Sequence, residues 1–220
     1  MSDPLRAGIL AAADAVDAAR AELGRLDGAA GDGDHGMTMS IGARNVRKRL
    51  AALPGDASPT DLVRAAAESM AAVGGAIGPL HAGALTAIAA EVESPAWSSM
   101  GDVARLRTIA EAAERAITDL GHAATGDKTI VDALHPLVAS LRESEAAGLD
   151  PAAAVEAAIA AAEAGAASTS DMVARIGRAS RLGERSRGLP DAGATSFAII
   201  ARSLAESLVP GVGGTHGATA

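Results

Sequence analysis

Cysteine and tyrosine are absent from this 220-residue chain, and phenylalanine and tryptophan occur once each, at Phe197 and Trp97. Without cysteine there is no disulfide framework, thiolate zinc site, iron–sulfur cluster or cysteine nucleophile. Aromatics at 1% argue against base-stacking nucleic-acid modules and against β-sandwiches, which lean on aromatic and β-branched residues. Positive charge is scarce as well. Nineteen Lys and Arg face 27 Asp and Glu, a net −8 with five His neutral, which speaks against a nucleic-acid partner.

Long uninterrupted hydrophobic runs are missing too. Asp14 and Asp17 break the first apolar stretch, so it is no signal-peptide core. Residues 69–90 carry no Asp, Glu, Lys or Arg, a length that could span a bilayer. That run is mostly Ala and Gly, is broken by Gly78-Pro79 and His81, and is flanked by Glu68 and Glu91. Two buried helices with a Gly-rich joint fit it better. The expectation is a soluble, cytoplasmic protein with no membrane partner.

What is present is helix-forming. Hydrophobic residues make up 49% of the chain, chiefly Ala, Leu, Val and Ile, and Ala is the best intrinsic helix former. Leu5, Ile9, Ala13, Val16, Leu23 and Leu26 line one face of a first helix ending near Asp27. A second runs from about Met37 to Leu53. Ser58-Pro59-Thr60-Asp61 is a start signal for a third over 62–73, with Ser58 as N-cap. The fourth covers 80–92, the fifth 103–120, the sixth 130–141, and Asp150-Pro151 starts a seventh, nearly pure Ala helix to about 164. The last is expected from Thr195 or Ser196 to Val209. Short loops between them predict an all-α single domain over 1–209, a bundle or barrel of about eight antiparallel helices. The Gly-rich segment 210–220 reads as a flexible tail.

The loop after the first helix, LDGAAGDGDHGMT (26–38), holds Asp27, Asp32 and Asp34 among glycines. So many like charges in one loop are unfavourable unless a cation binds there, and hard divalent ions take such oxygen ligands together with substrate phosphates. The stretch 31–36 matches G-x-G-x-x-G, but it follows a helix rather than a strand, so a dinucleotide fold is set aside. An EF-hand counted from Asp32 would need Glu where Ala43 stands. A solvated acidic turn capping the next helix is the plain alternative.

Three more segments stand out. VGGAIGPLHAG (73–83) reads alone as a helix–helix corner. GHAATGDKT (121–129) resembles part of a phosphate loop, but the Walker spacing is missing, and it reads as an ordinary helix start. Five Arg (175, 178, 181, 185, 187) precede GLPDAGATS (188–196); an anion clamp and a solvated Arg surface are equal contenders. The cluster Arg44, Arg47, Lys48, Arg49 reads as an exposed helix face. His81, His122 and His135 read as structural, and His216 falls in the tail.

Together LDGAAGDGDHG (26–36), GGAIGPL (74–80), TGDKTIVDALHPL (125–137), GRASRLGERSRG (177–188) and DAGATS (191–196) resemble the L-subunit family of bacterial dihydroxyacetone kinases. That family is equivalent to the C-terminal nucleotide domain of the single-chain kinases. The segments occur in the family's order along nearly the whole chain. The resemblance implies an eight-helix barrel with a nucleotide pocket at one end. It implies Asp27, Asp32 and Asp34 as ligands of two Mg²⁺ ions, with Arg178 as the phosphate contact among the catalytic residues. It implies ADP or ATP surrounded by His35, Gly36, Met37, Thr38, Ala76, Ile77, Gly78, Gly121, Ile130, Arg178, Asp191, Ala192 and Gly193. The family has Pro at the position of Ala192, and commonly an aromatic at that of His81.

The charges support that reading: three Asp and a nucleotide of about −3 to −4 need two Mg²⁺ and an Arg for approximate balance. With so few aromatics, adenine is expected to rest on Ile77, Leu80 and Ile130. The resemblance also implies a separate K subunit that binds the ketose covalently, a phosphoryl donor that is either ATP or a phosphotransferase-system M subunit, and room for a homodimer. A tetrose kinase of erythrulose type, a non-catalytic nucleotide-loaded regulator and a purely structural helical protein are the competing readings.

Overall fold

The computed structural model describes residues 4–209 and Val212, so most of the expected tail lies outside the described residues. Among those described there is no strand, and nine α-helices follow one another. They are α1 (Pro4–Ala18), α2 (Arg20–Ala30), α3 (His35–Ala51), α4 (Pro59–Ala71), α5 (Ile77–Glu93), α6 (Asp102–Gly121), α7 (Val131–Ala146), α8 (Pro151–Ser168) and α9 (Ala192–Leu208). Short 3₁₀ turns at Pro95–Ser99, Thr169–Asp171 and Arg178–Ser186 lie in the connections.

Each helix packs on the next around a ring, α1 on α3, then α4 through α9, and α9 returns to α1. The ring therefore has eight staves, with α2 prolonging the first. The expected single first helix is bent at Ala19, whose ψ relaxes to near 1°. Hydrogen bonds continue on both sides of the bend, from Ala19 N to Ala15 O and from Leu23 N to Ala19 O. The bend brings α2 onto the start of α3 so closely that a Cβ at Gly36 would overlap the Arg20 carbonyl. No Pro or Gly at 18–21 announces it; tertiary packing imposes it.

Local signals explain most boundaries. Ser58 and Asp61 form a reciprocal capping box with Pro59 in the first turn of α4. Asp150 accepts from the amides of Ala152 and Ala153 to start α8. Pro136 lies inside α7, and the Asp132 carbonyl that it leaves without its helical donor faces Gly165 of α8. Helix α9 begins three or four residues earlier than expected. Asp191 is its N-cap and accepts from Ala194 N at 2.8 Å, so Asp191–Ser196 is a cap and first turn rather than a loop. Likewise α5 starts at Ile77, with Gly78-Pro79 in its first turn where the missing proline N–H is harmless.

The staves bury Leu134, Val138 and Ile159 on the α6–α8 side and Leu23, Leu50 and Leu62 on the α2–α4 side. Each is worth about 1.5–3 kcal/mol relative to exposure. Between them lies an apolar lumen of about 370 Å³ whose only polar wall residue among the described residues is His81. The His81 Nδ1 is 3.0 Å from the Ile77 carbonyl, and Nε2 has no partner among the described residues. No described helix is long and apolar enough to cross a membrane.

Candidate functional site at the barrel mouth

Up-and-down topology places four connections at one end of the barrel: 31–34, 72–76, 122–130 and 169–191. The N-termini of α3, α5, α7 and α9 point into that end, and their free amides make it attractive to anions. Apart from the segment 210–220, the Gly-rich segments of the sequence fall in or beside these four connections.

The acidic loop is held in shape by its own backbone. Gly33 has φ 77°, a left-handed conformation that favours glycine. Asp27, at the end of α2, accepts a hydrogen bond from the His35 amide at 3.1 Å, so it caps α3 from eight residues upstream. Asp34 occupies the N-cap position yet makes no capping bond; its carboxylate is left for other partners. One oxygen each of Asp27, Asp32 and Asp34 lies within 4.8 Å of the others. Asp27 is half-buried while Asp32 and Asp34 are exposed. A hard divalent ion fits this donor set of clustered carboxylate oxygens on a turn rigid enough to hold them.

The loop before α9 brings in the counter-charge. Arg178 pairs with Asp32 and with Asp34 at 3.3 Å, across 144 residues of sequence. Of the two readings of the Arg-rich stretch, Arg178 is thereby placed at the carboxylates, whereas Arg175, Arg181, Arg185 and Arg187 are exposed around it.

Beneath the carboxylates the mouth is tied to the barrel. The His35 imidazole is buried, with Nε2 3.0 Å from Ser196 Oγ on α9. Ser196 Oγ itself reaches the Gly193 carbonyl at 3.0 Å. Burial pushes His35 down to about 4 although the Asp27 charge pulls the other way. Its ring therefore faces inward as a neutral brace, and only its backbone faces the mouth. Gly36 is buried beside it, Met37 is exposed and Thr38 half-buried.

The other expected residues gather at the same end. Ala76 is exposed, Ile77 half-buried and Gly78 buried at the start of α5. Gly121 ends α6 against Leu80, 3.3 Å from where its Cβ would stand. Ile130 is buried, with its amide 3.8 Å from the Cβ position of Gly193. Ala192 is buried as well. Burial pushes the Asp191 carboxyl up to about 6, against the amides of Ala194 and Gly193 and the charge of Lys128. Leu80 is half-buried and Ile130 buried, both packed on the barrel core, and Leu120 is exposed, 3.9 Å from the Cβ position of Gly83.

Lys128 of the 122–130 connection and Asp132 in the first turn of α7 carry structure that the spacing did not reveal. Asp132 is buried and accepts from the amides of Gly126 and Thr129. Lys128 is buried and donates to the carbonyls of Thr169 and Leu189. The signal was there: a lysine two residues after Gly126 in a chain with only two lysines.

Comparison with known proteins agrees with this fold. The DAK2 domain pattern matches residues 29–206. The chain is 39% identical to the D-erythrulose kinase of Mycolicibacterium smegmatis over 89% of its length and 34% of the relative's. It is 37% identical to the ADP-binding subunit DhaL of the PEP-dependent dihydroxyacetone kinase of Escherichia coli, over 82% of this chain and 84% of that one. The dihydroxyacetone kinase of C. freundii, solved with AMP-PNP and Mg²⁺, superposes with TM-score 0.69 at 27% identity, covering 92% of this chain and 33% of that chain. The chain spans about a third of the length of the erythrulose kinases and of the C. freundii enzyme.

Proposed function

The chain belongs to the DAK2-domain family, and from that premise we propose that it is the Mg²⁺- and nucleotide-binding subunit of a dihydroxyacetone kinase. The observation that carries this reading is the cluster of Asp27, Asp32 and Asp34 within 4.8 Å, faced by Arg178 and by four helix N-termini. The DhaL relative of similar length is by name an ADP-binding subunit, and the C. freundii kinase was solved with a nucleotide analogue and Mg²⁺.

In this reading Asp27, Asp32 and Asp34 hold two Mg²⁺ ions, which when bound offset phosphate charge and align the phosphates for transfer. Arg178 turns from its carboxylates to a phosphate oxygen. The amides of Gly36, Met37 and Ala192 add donors for phosphate oxygens, with His35, Thr38, Asp191 and Gly193 lining the same side. Ala76, Ile77, Gly78, Gly121 and Ile130 bound the nucleoside side, with Leu120 completing its apolar edge. His35 orients Asp27 through its amide. These groups bind and position; phosphoryl transfer asks for little else from the protein.

The acceptor sugar sits on a separate K subunit, and the donor is ATP in exchange or an M subunit that rephosphorylates bound ADP. A cytoplasmic location goes with that role. A homodimer is not required, because one chain completes the carboxylate–arginine cluster. A tetrose acceptor is the second reading, favoured by the erythrulose kinases among the relatives at 39% and 40% identity.

The test is reconstitution. This chain alone should not phosphorylate dihydroxyacetone or erythrulose with ATP, and adding a K subunit should give activity that Asp32→Ala abolishes. Turnover only with an M subunit and phosphoenolpyruvate assigns the donor. Failure to bind Mg²⁺–ADP by calorimetry would refute the reading.

A further inference from the structure

The Arg178-bearing connection is long, running from the end of α8 to Asp191, and most of its internal ties are to itself. The Gly188 amide donates to Ser170 O at 2.9 Å, the Asp191 amide to Thr169 Oγ1 at 2.8 Å, and Arg187 to Asp171 O at 2.6 Å. These close the neck of the loop, but they do not fix it relative to the barrel.

Besides the Arg178 pairs with Asp32 and Asp34 and the packing of the loop on α2, that fixing comes from residues 127 and 128. The Asp127 carbonyl accepts from the Arg175 amide at 3.2 Å. The Lys128 ammonium donates to Thr169 O at 2.6 Å and to Leu189 O at 2.7 Å, the two sides of the neck. Lys128 is only 4% exposed, and its φ of 64° lies in the left-handed region, which costs a residue with a Cβ on the order of 1 kcal/mol. Glycine would relieve that strain, so the side chain is what the position retains. Asp132 underneath holds the turn through the amides of Gly126 and Thr129. Seventeen of the nineteen cations of this chain are Arg, yet this one is a lysine, whose compact ammonium can divide its donors between two carbonyls.

We propose that Lys128 is a positioning residue for the nucleotide reaction: it clamps both sides of the loop neck and thereby sets Arg178 against the phosphates. This rests on the nucleotide reading of the mouth. The segment that looked like a broken phosphate loop does not touch phosphate with its lysine; it turns the lysine inward to hold the arginine that does. Burial lowers the Lys128 ammonium while the Asp191 charge supports it, so the clamp is a cation kept in place by its carbonyl acceptors and that carboxylate.

The test is a double-mutant cycle on the full chain, titrated with Mg²⁺–ADP. Lys128→Met should weaken binding about tenfold on its own, yet by less than about twofold in an Arg178→Ala background, because the clamp acts through the arginine. Equal losses in both backgrounds, or no loss in the single variant, would overturn the proposal. A merely structural lysine would give equal losses. A second measurement needs no substitution. Lys48, exposed on α3, and Lys128 are the only lysines, so amine acylation read by mass spectrometry compares them directly. Mg²⁺–ADP should slow acylation at Lys128 at least about fivefold and leave Lys48 unchanged; equal Lys128 rates with and without nucleotide overturn the clamp. No Mg²⁺–ADP binding by the unaltered chain refutes the nucleotide reading and this proposal with it. Binding intact but uncoupled from Lys128 refutes the proposal alone.

Discussion

Arg178 sits on the very carboxylates that would hold a cation, so it competes with metal in the absence of nucleotide. Arg178→Ala should therefore raise affinity for Mg²⁺ alone by a few-fold and weaken Mg²⁺–ADP by about tenfold, the scale of one charge-assisted hydrogen bond. Calorimetry with and without nucleotide reads both signs, and a variant that loses affinity for both ligands contradicts the competition. His81 makes a different prediction. Burial holds its folded value below the usual 6.5, so the unfolded chain takes up the proton first, and stability present above that value is lost as pH falls below it. Asp191, raised to about 6 by burial, works the other way: the native state binds its proton first, and that term gains stability as pH falls through 6. Thermal melts of His81→Phe should lose less midpoint between pH 7 and 5 than the unaltered chain, and Asp191→Asn should lose more. Slopes unaffected by His81→Phe would show that the lumen imidazole does not govern the acid limb. From sequence, His81 was legible only as a structural histidine; that its Nε2 lacks a partner among the described residues depends on which staves surround it.

The elements nearest the mouth are set by backbone approach. Gly36 lies where α3 meets the bend between α1 and α2, and a Cβ there would overlap the Arg20 carbonyl and crowd Gly24 N. Gly36→Ala should cost about 1–3 kcal/mol as α2 is pushed away, read by chemical denaturation, and should also weaken Mg²⁺ binding because Asp27 rides on α2. A neutral Gly36→Ala variant would mean that the α2–α3 contact has slack. In contrast, Ser58→Ala removes half of a capping box at the opposite end and should cost about 1 kcal/mol without touching ligand affinity. Capping signals such as Ser58-Pro59 and Asp150-Pro151 could be read directly because they satisfy amides within a few residues. The bend at Ala19 and the early start of α9 could not: the first follows from packing against α3, and the second from a glycine at 193 that reads as a loop until Asp191 is seen to cap it.

Across the whole molecule the ring closes through charge as well as apolar packing. Arg202 on α9 reaches Glu156 and Glu163 on α8, and Arg107 and Glu111 on α6 join Arg142 and Glu145 on α7. Arg202 is the more enclosed of these cations, its side chain 19% exposed. Arg202→Ala should lower stability by about 1 kcal/mol after allowing for solvent screening, or about 2–4 °C in midpoint for a chain of this size. High salt should narrow the difference between variant and parent. A difference that salt leaves untouched would assign the loss to packing of the arginine stem rather than to its charge.

Composition and spacing by themselves determined that the chain is helical, that its helices run to about eight in antiparallel order, and that its glycines and carboxylates concentrate in the connections. These are local properties, readable from residues within a turn or two of one another. They also singled out Asp27, Asp32 and Asp34, because three carboxylates within eight residues of a Gly-rich turn are held close together. Only the tertiary structure decided what lies across from them. Arg178 meets Asp34 across 144 residues of sequence, His35 braces against Ser196 across 161, and Lys128 turns inward to the neck of the arginine loop. Such pairings depend on ring closure, which brings alternate connections to one mouth, and no local pattern encodes the order in which staves close.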